Sequence, residues 1–276
     1  MTDLTHRSTH FDFGENWASF SNIIDEARTQ DAERSVAALV GALAGRSFLD
    51  IGCGSGLFSL AALRLGADRV VAIDIDEHST WATTALLAQS GERKWQVREQ
   101  SIFDFGDETF DIVYSWGVLH HTGDMWRAIE RASSAVRPGG TFAFALYEKT
   151  RFCPIWRLEK RLYRRAPALV QGLVRMGYET MQVAARIAAG RDPFLRRQNL
   201  RRGMDYAHDV HDWLGGYPYE STTLAEVEQV MRRLGFELVS HLAARLKARG
   251  VGGSACSEYV YRRVSGREMH SISARA

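Results

Sequence analysis

The sequence predicts a doubly wound α/β fold with a seven-stranded, mostly parallel sheet and a helical insertion after the fifth strand. Short apolar strands alternate with amphipathic helices, a glycine-rich turn follows the first strand, and the strand pattern stops at residue 148 and resumes near residue 223. Alternating strands and helices imply right-handed crossovers. The predicted strands are 46–51, 69–73, 94–99, 110–115, 141–146, 237–241 and 257–262.

Helices are predicted between these strands. In 29–44, the residues Val36, Leu39, Val40 and Leu43 lie three and four positions apart behind an acidic start, which is typical of an amphipathic helix. A second helix follows the glycine turn. The other helices of the core are predicted at about 77–89, 124–136 and 223–234, with turns at 137–140 and at Gly235-Phe236.

The segment 149–214 has no strand pattern and is strongly basic. Its apolar residues, Ile155, Leu158, Leu162, Ala166, Leu169 and Leu173, predict one helical face, with Arg157, Lys160, Arg161 and Arg164 opposite and a break at Pro167. We expect a cap that closes over an acceptor; an RNA-binding surface, a face resting on anionic lipid and a solvated basic face are the alternatives. Its basic residues are Lys149, Arg151, Arg157, Lys160, Arg161, Arg164, Arg165, Arg175, Arg186, Arg191, Arg196, Arg197, Arg201 and Arg202.

Composition sets the broad class of protein. The chain has 276 residues, 45% hydrophobic and 25% charged, which suits one large globular α/β domain. No apolar stretch approaches the roughly 18 residues of a membrane span, and the N-terminus lacks a secretory pattern, so we expect a cytoplasmic protein. The predicted organisation is an N-terminal helical lid (1–45), a cofactor-binding core (46–148), the basic helical cap (149–214), the rest of the core (215–264) and a tail (265–276).

A glycine-rich segment, Asp50-Ile51-Gly52-Cys53-Gly54-Ser55-Gly56, lies where the first strand turns into its helix. Small residues there let a ligand approach the backbone amides at a helix N-terminus. The third glycine of a dinucleotide fingerprint is replaced by Leu57, which disfavours NAD. Asp74 lies 22 residues beyond Gly52, close to the spacing of a carboxylate that binds ribose hydroxyls, and Asp76 is an alternative.

This segment resembles the cofactor motif of class I S-adenosylmethionine-dependent methyltransferases. The resemblance implies a Rossmann-like fold with an antiparallel last strand and S-adenosyl-L-methionine as cofactor. It places Asp50 near the cofactor's amino group, the glycines near its methionine part and the loop 100–104 around adenine. The cofactor-binding residues expected on this basis are Trp17, Asp50, Gly52, Cys53, Gly54, Gly56, Asp74, Ile75, Ser101, Ile102, Phe103 and Trp116.

Segments 114–123 and 137–140 resemble a bacterial methyltransferase group related to the quinone-biosynthesis methylases, over residues 45–147. That group shares 212–220 and a terminal element that corresponds to 255–258 here. The resemblance implies the reaction but does not name the acceptor.

Histidines supply the candidate general bases, because histidine titrates near neutral pH. His120 and His121 follow the fourth strand, and adjacent side chains rarely point the same way, so at most one should enter the site. His208, His211 and Asp212 are further candidates, either as polar contacts to the acceptor or, with Asp205, as a metal site; we prefer the first, with no metal. Segment 217–220 is expected to form one wall of the acceptor site.

We therefore expect methyl transfer to an oxygen or nitrogen atom of a small-molecule acceptor in biosynthesis or specialised metabolism, with the arginines attracting an anionic acceptor. An RNA or lipid-linked acceptor, or a non-catalytic regulator that binds the cofactor, are the alternatives. Nucleic acid is not an expected partner, since the chain lacks an appended recognition module with interleaved aromatic residues.

Overall fold

The computed structural model describes residues 4–21, 23–192, 206–244 and 253–265. Its strands are β1 (Ser47–Ile51), β2 (Arg69–Asp74), β3 (Trp95–Glu99), β4 (Phe110–Trp116), β5 (Val136–Tyr147), β6 (Phe236–Leu242) and β7 (Cys256–Arg263). The helices within these ranges are α1 (Phe13–Ser21), α2 (Glu26–Val40), α3 (Leu57–Arg64), α4 (Glu77–Gln89), α5 (Met125–Ser134), α6 (Cys153–Arg165), α7 (Ala168–Ala188), α8 (Tyr206–Gly215) and α9 (Leu224–Arg233).

The seven strands form one sheet in the order β3-β2-β1-β4-β5-β7-β6. Strands β1 to β5 pair in parallel, and β7 runs antiparallel to both of its neighbours, β5 and β6. The predicted fold is therefore confirmed, including the antiparallel last strand. The strand order reverses beside β1, where open α/β sheets place their ligands.

Helices cover both faces of the sheet because neighbouring residues of a strand point to opposite sides. In β1, Leu49 packs in a cluster with α5 and α9, whereas Phe48 packs in a second cluster with α2 and α3. In β5, Phe144 belongs to the first cluster and Ala143 to the second. Both clusters are almost fully buried, so the strands serve as a rigid base for the loops at their carboxyl ends.

Helix α2 and strand β5 differ most from the predicted boundaries. Helix α2 begins at Glu26, because Asp25 caps it by accepting a hydrogen bond from the Arg28 backbone N–H, and it ends at Val40 before Gly41, whose φ is +73°. Strand β5 begins at Val136, although a turn was predicted at 137–140. A shift in the pairing register between β4 and β5 accommodates these residues within the strand.

The basic insertion breaks at Pro167, between α6 and α7, and one side of α6 faces the protein. Leu158 and Leu162 are exposed, whereas Lys160 is fully buried. The Lys160 Nζ lies 3.5 Å from the centre of the Trp213 ring, donates to the Trp213 carbonyl and forms an ion pair with Glu159. These partners compensate for burial of the charge, so the polar side of α6 faces the protein.

Part of the predicted insertion and tail lies outside the described residues, including Arg196, Arg197, Arg201, Arg202 and Asp205. Among the described helices, none combines the length and the apolar character needed to cross a bilayer.

Candidate cofactor and acceptor site

One cavity of about 410 Å³ opens at the carboxyl ends of β1, β2 and β4. Asp50 and Asp74 line one part of its wall. His121, Tyr147 and residues of α8 line another part. A volume of this size lies within the usual range for small-molecule sites. Most of the residues predicted for the cofactor thus share one continuous space with His121 and Asp212, two of the residues predicted for the acceptor side.

The glycine bend forms the floor of this cavity. Gly52 and Gly54 have φ values of +74° and +54°, a region that favours glycine. A Cβ atom on Gly52 would lie 2.4 Å from Val118, and one on Gly54 would lie 3.2 Å from the Trp17 ring. Gly56 has a φ of +81° and caps α3 but is not part of the cavity wall. The bend therefore requires glycine for both its conformation and its space.

Asp50 is a buried acid at the end of β1. It accepts a hydrogen bond of 2.6 Å from the Ser59 hydroxyl, and no basic side chain among the described residues forms an ion pair with it. Burial, with the nearby Asp74 charge adding to it, raises the pKa of Asp50 to about 7. A buried acid on a cavity wall without a cationic partner suits a ligand that brings an ammonium group.

Asp74 ends β2 and lies on the cavity wall. Its carboxylate accepts hydrogen bonds from the backbone N–H groups of Gly54, at 3.1 Å, and Asp76, at 3.0 Å. Burial nevertheless raises the pKa of Asp74 to about 6. Asp76, the alternative, caps α4 through the His78 N–H and pairs with Arg7 at 3.0 Å, so its carboxylate is engaged outside the cavity.

The loop after β3 supplies the adjoining wall. Ser101, Ile102 and Phe103 line the cavity together with Ile75. The Ser101 hydroxyl accepts a hydrogen bond from the Phe103 N–H, which fixes the turn, and Arg127 lies over the outer Phe103 ring at 4.8 Å. This arrangement presents apolar side chains on which a flat ring can rest.

Trp17, Cys53 and Trp116 complete the predicted cofactor side of the cavity. Trp17 on α1 packs edge-on against Phe20, with ring centres 5.6 Å apart, which holds its ring over the glycine bend. The Trp116 indole N–H donates to Glu258 at 2.8 Å. Cys53 is buried, and burial raises the pKa of its thiol well above the usual range, so it is not a nucleophile here.

His121 is the predicted base that reaches the cavity. Its Nδ1 lies 2.6 Å from the Pro218 carbonyl oxygen. Because a carbonyl only accepts, Nδ1 carries the proton and donates it, and Nε2 is the unprotonated nitrogen of the ring. Burial lowers the pKa of His121 to about 3, so the ring is neutral at physiological pH.

The structure does not bring three other candidate histidines to the cavity. His120 is fully buried behind His121, with its ring 4.0 Å from the Tyr147 ring. His208 packs edge-on against Phe20, and the His211 Nδ1 lies 2.9 Å from the Tyr163 hydroxyl. These three side chains therefore lie outside the cavity wall.

Asp212 does line the cavity. It accepts a 2.7 Å hydrogen bond from the Asn16 side-chain amide, and burial raises the pKa of its carboxyl well above the usual range. The metal site considered for α8 does not assemble from His208, His211 and Asp212 within the described residues.

The segment 217–220 lies behind the cavity wall instead of forming it. Pro218 holds His121 through its carbonyl oxygen, and Glu220 accepts a hydrogen bond of 2.9 Å from the Met125 N–H at the start of α5. The Tyr219 hydroxyl bonds to Cys153 Sγ and Ser254. The segment therefore holds the His121 ring from behind and does not form part of the cavity wall.

The cavity wall also contains residues that were not predicted from the sequence, among them Tyr147, Tyr178, Asp209 and Trp213. Tyr147 ends β5, so its place at the carboxyl end of a parallel strand was a usable signal. The others come from α7 and α8, whose docking no local pattern indicates. Tyr147 and Trp213 pack edge to face, with ring centres 5.3 Å apart, and give this end of the cavity an aromatic wall.

The strand order and the site together define a Rossmann-like protein that binds a nucleoside cofactor beside its first two strands. Residues 49–144 match the family described as "Methyltransferase domain". The sequence match and the fold support a methyltransferase domain of the class I S-adenosylmethionine-dependent type over these residues.

Curated relatives share the domain and not the whole chain. The 27-O-demethylrifamycin SV methyltransferase of Amycolatopsis mediterranei (strain S699) is 30% identical over 144 residues, 48% of this chain and 51% of that protein. The ubiquinone biosynthesis O-methyltransferase of Methylobacterium sp. (strain 4-46) is 36% identical over 110 residues, 39% of this chain and 43% of that protein. A tRNA U34 carboxymethyltransferase also matches. The chain thus spans about half or less of the length of these relatives.

Among solved structures, magnesium protoporphyrin IX methyltransferase from Synechocystis PCC 6803 with bound SAH aligns with a TM-score of 0.51 and 16% identity. The alignment covers 86% of this chain and 82% of that one. At this identity, the likeness extends to the fold and not to the acceptor.

Proposed function

We propose that the protein transfers a methyl group from S-adenosylmethionine to an oxygen or nitrogen atom of a small-molecule acceptor in biosynthesis or specialised metabolism. The observation that carries this proposal is the continuous cavity that joins Asp50 and Asp74 to His121 and an aromatic wall. The names of two relatives, a rifamycin-related methyltransferase and a ubiquinone biosynthesis O-methyltransferase, support a small-molecule acceptor.

The described residues fit the cofactor of the family. Asp50 would bind its amino group, the bend at Gly52 and Gly54 would accommodate its methionine part, Asp74 would accept hydrogen bonds from its ribose, and Ile102 would pack on its adenine. When bound, the cofactor supplies an electrophilic methyl group on a sulfonium sulfur. Trp17 lies over the bend and would help exclude water from this end.

His121 would receive the acceptor's hydroxyl or amine group. Its unprotonated Nε2 would accept a hydrogen bond from that group, while the Pro218 carbonyl fixes the ring through Nδ1. With a pKa near 3, His121 is a weak base for a free acceptor, so it takes the proton as methylation makes that group acidic. Tyr147 and Trp213 would hold the apolar body of the acceptor beside it.

Incubation of the full chain with S-adenosylmethionine labelled in its methyl group, against a metabolite extract and a panel of phenols and amines, tests the proposal. We expect a labelled small molecule and release of S-adenosylhomocysteine. His121→Ala should lower turnover by about a hundredfold or more while affinity for S-adenosylhomocysteine is retained.

His208→Ala is the matched control, because His208 is also on the buried side of the fold but outside the cavity. Equal turnover of the wild type and His121→Ala would remove His121 as the base. Labelling of tRNA or protein alone would overturn the small-molecule acceptor.

A further inference from the structure

Helix α7 presents its polar side to the protein and its apolar side to the outside. On the inner side, Tyr178 lines the cavity and Gln171 donates a 3.1 Å hydrogen bond to the Tyr163 carbonyl. The outer side carries large apolar side chains that are 40–77% exposed: Leu169, Val170, Leu173, Val174, Met176, Met181 and Ile187. This is the reverse of the pattern that buries a helix in a soluble core.

Helix α6 repeats the arrangement and adds charge. Ile155, Leu158 and Leu162 are 58–61% exposed at helical spacing. Arg161 and Arg165 are exposed three positions after Leu158 and Leu162, so they lie beside these side chains on the same face. We call the exposed apolar side chains of α6 and α7, with these two arginines, the outer face.

We propose that the outer face docks the protein on an anionic lipid bilayer, with α6 and α7 lying in the interface. Such helices combine an exposed apolar side with basic residues that meet lipid phosphates. Helix α7 has 21 residues, about 31 Å, which gives a long contact parallel to the surface. Neither helix qualifies as a membrane span, which agrees with a position in the plane of the bilayer.

Charge favours a bilayer over a second copy of this chain. The described part of the insertion, residues 149–192, carries ten Lys and Arg residues but only Glu159, Glu179 and Asp192 as acids. A two-fold interface would bring two copies of the same basic face together, which is repulsive. An anionic lipid surface complements both the apolar side chains and the arginines.

Docking through the outer face would also bring the cavity close to the membrane. Tyr178 on the inner side of α7 belongs to the cavity wall, so one helix separates the outer face from the acceptor space. Docking would therefore hold that space close to the membrane surface. The proposal does not depend on methyl transfer, because vesicle binding is measured without cofactor or acceptor.

Co-sedimentation of the full chain with vesicles tests it. One set contains phosphatidylcholine alone, and a second contains about a third phosphatidylglycerol. We expect binding to the anionic vesicles, weakened by high salt, and at least tenfold weaker binding to the neutral ones. Leu173→Glu and Met176→Glu together should weaken binding at least tenfold, and Arg161→Glu with Arg165→Glu should abolish the preference for anionic lipid.

Val239→Glu is the matched control, since Val239 on β6 is 61% exposed but lies outside the outer face. It should bind vesicles as the wild type does. Unchanged circular dichroism and S-adenosylhomocysteine binding would show that the variants are folded. The proposal is overturned if the wild type binds neither vesicle, if the Leu173 and Met176 variant binds as well as the wild type, or if that variant instead dissociates a dimer.

Discussion

The charge state of Asp50 should set the pH dependence of cofactor binding. The acid is buried, and its pKa is raised to about 7 in the protein without ligand. A ligand ammonium beside it favours the ionised carboxylate, so binding lowers this pKa. The affinity for the cofactor is therefore highest well above pH 7 and falls as the pH is lowered through 7. Below pH 7, the Asp50 carboxyl must lose its proton before it can form an ion pair with the ligand ammonium.

The size of the effect follows from that pKa. Between about pH 7.5 and about pH 5.5, the ionised fraction of a group with pKa 7 falls about 25-fold, which corresponds to about 2 kcal/mol of binding free energy. Asp74, with a pKa of about 6, adds about a fourfold loss over the same interval. The Asp50→Asn variant should keep only this shallower dependence and bind more weakly at about pH 7.5.

Isothermal titration calorimetry with S-adenosylhomocysteine measures the effect directly, since this product carries the same amino group and cannot react. The ligand amino group is largely protonated throughout this interval, so its own titration contributes little. A wild-type affinity that is constant over the interval would refute the reasoning. So would an Asp50→Asn variant with the full 25-fold loss.

Further outcomes are expected from other features. Gly52→Ala should weaken S-adenosylhomocysteine binding at least tenfold, because it adds backbone strain of about 1–2 kcal/mol and a clash with Val118. The control in the same calorimetry is Gly41→Ala, because Gly41 has a similar φ but open space around it. Phe144→Ala removes a buried ring and should lower the free energy of unfolding in urea by about 3–5 kcal/mol; a loss below about 1 kcal/mol would contradict the packing described. Thr223→Ala removes one half of a capping box and should cost about 0.5–2 kcal/mol in the same experiment, with no change in ligand affinity.

The sheet could be predicted because its signals are local. β1 and β2 are short apolar runs bounded by turn residues, and Asp50 and Asp74 follow from a spacing that a single βαβ unit imposes. The beginning of β5 could not, because Val136 pairs with Phe110 ahead of residues 137–140, which have no partner in β4, and the pairing resumes at Thr141. No local pattern indicates the isolated pair at Val136.

The acceptor side was harder to predict than the cofactor side. Helical periodicity groups Leu158 with Leu162 but does not say which side of the helix faces the protein. Lys160 is buried because Trp213, more than fifty residues away, supplies both a ring face and a carbonyl oxygen. Tyr178 and Asp209 reach the cavity because α7 and α8 pack against the core, and no residue spacing in the sequence predicts that packing.

The antiparallel β7 is the last described strand to leave the ribosome, yet it occupies an interior place in the sheet. It supplies the hydrogen-bonding partners of both β5 and β6, so β6 has no strand to join until residues 256–263 have been made. Nascent chains fold from the N-terminal side during synthesis, and an unpaired strand edge invites association with other chains. The parallel half of the sheet can thus assemble on a growing chain, while the edge of β5 stays open to mispairing until residues 256–263 have been synthesised.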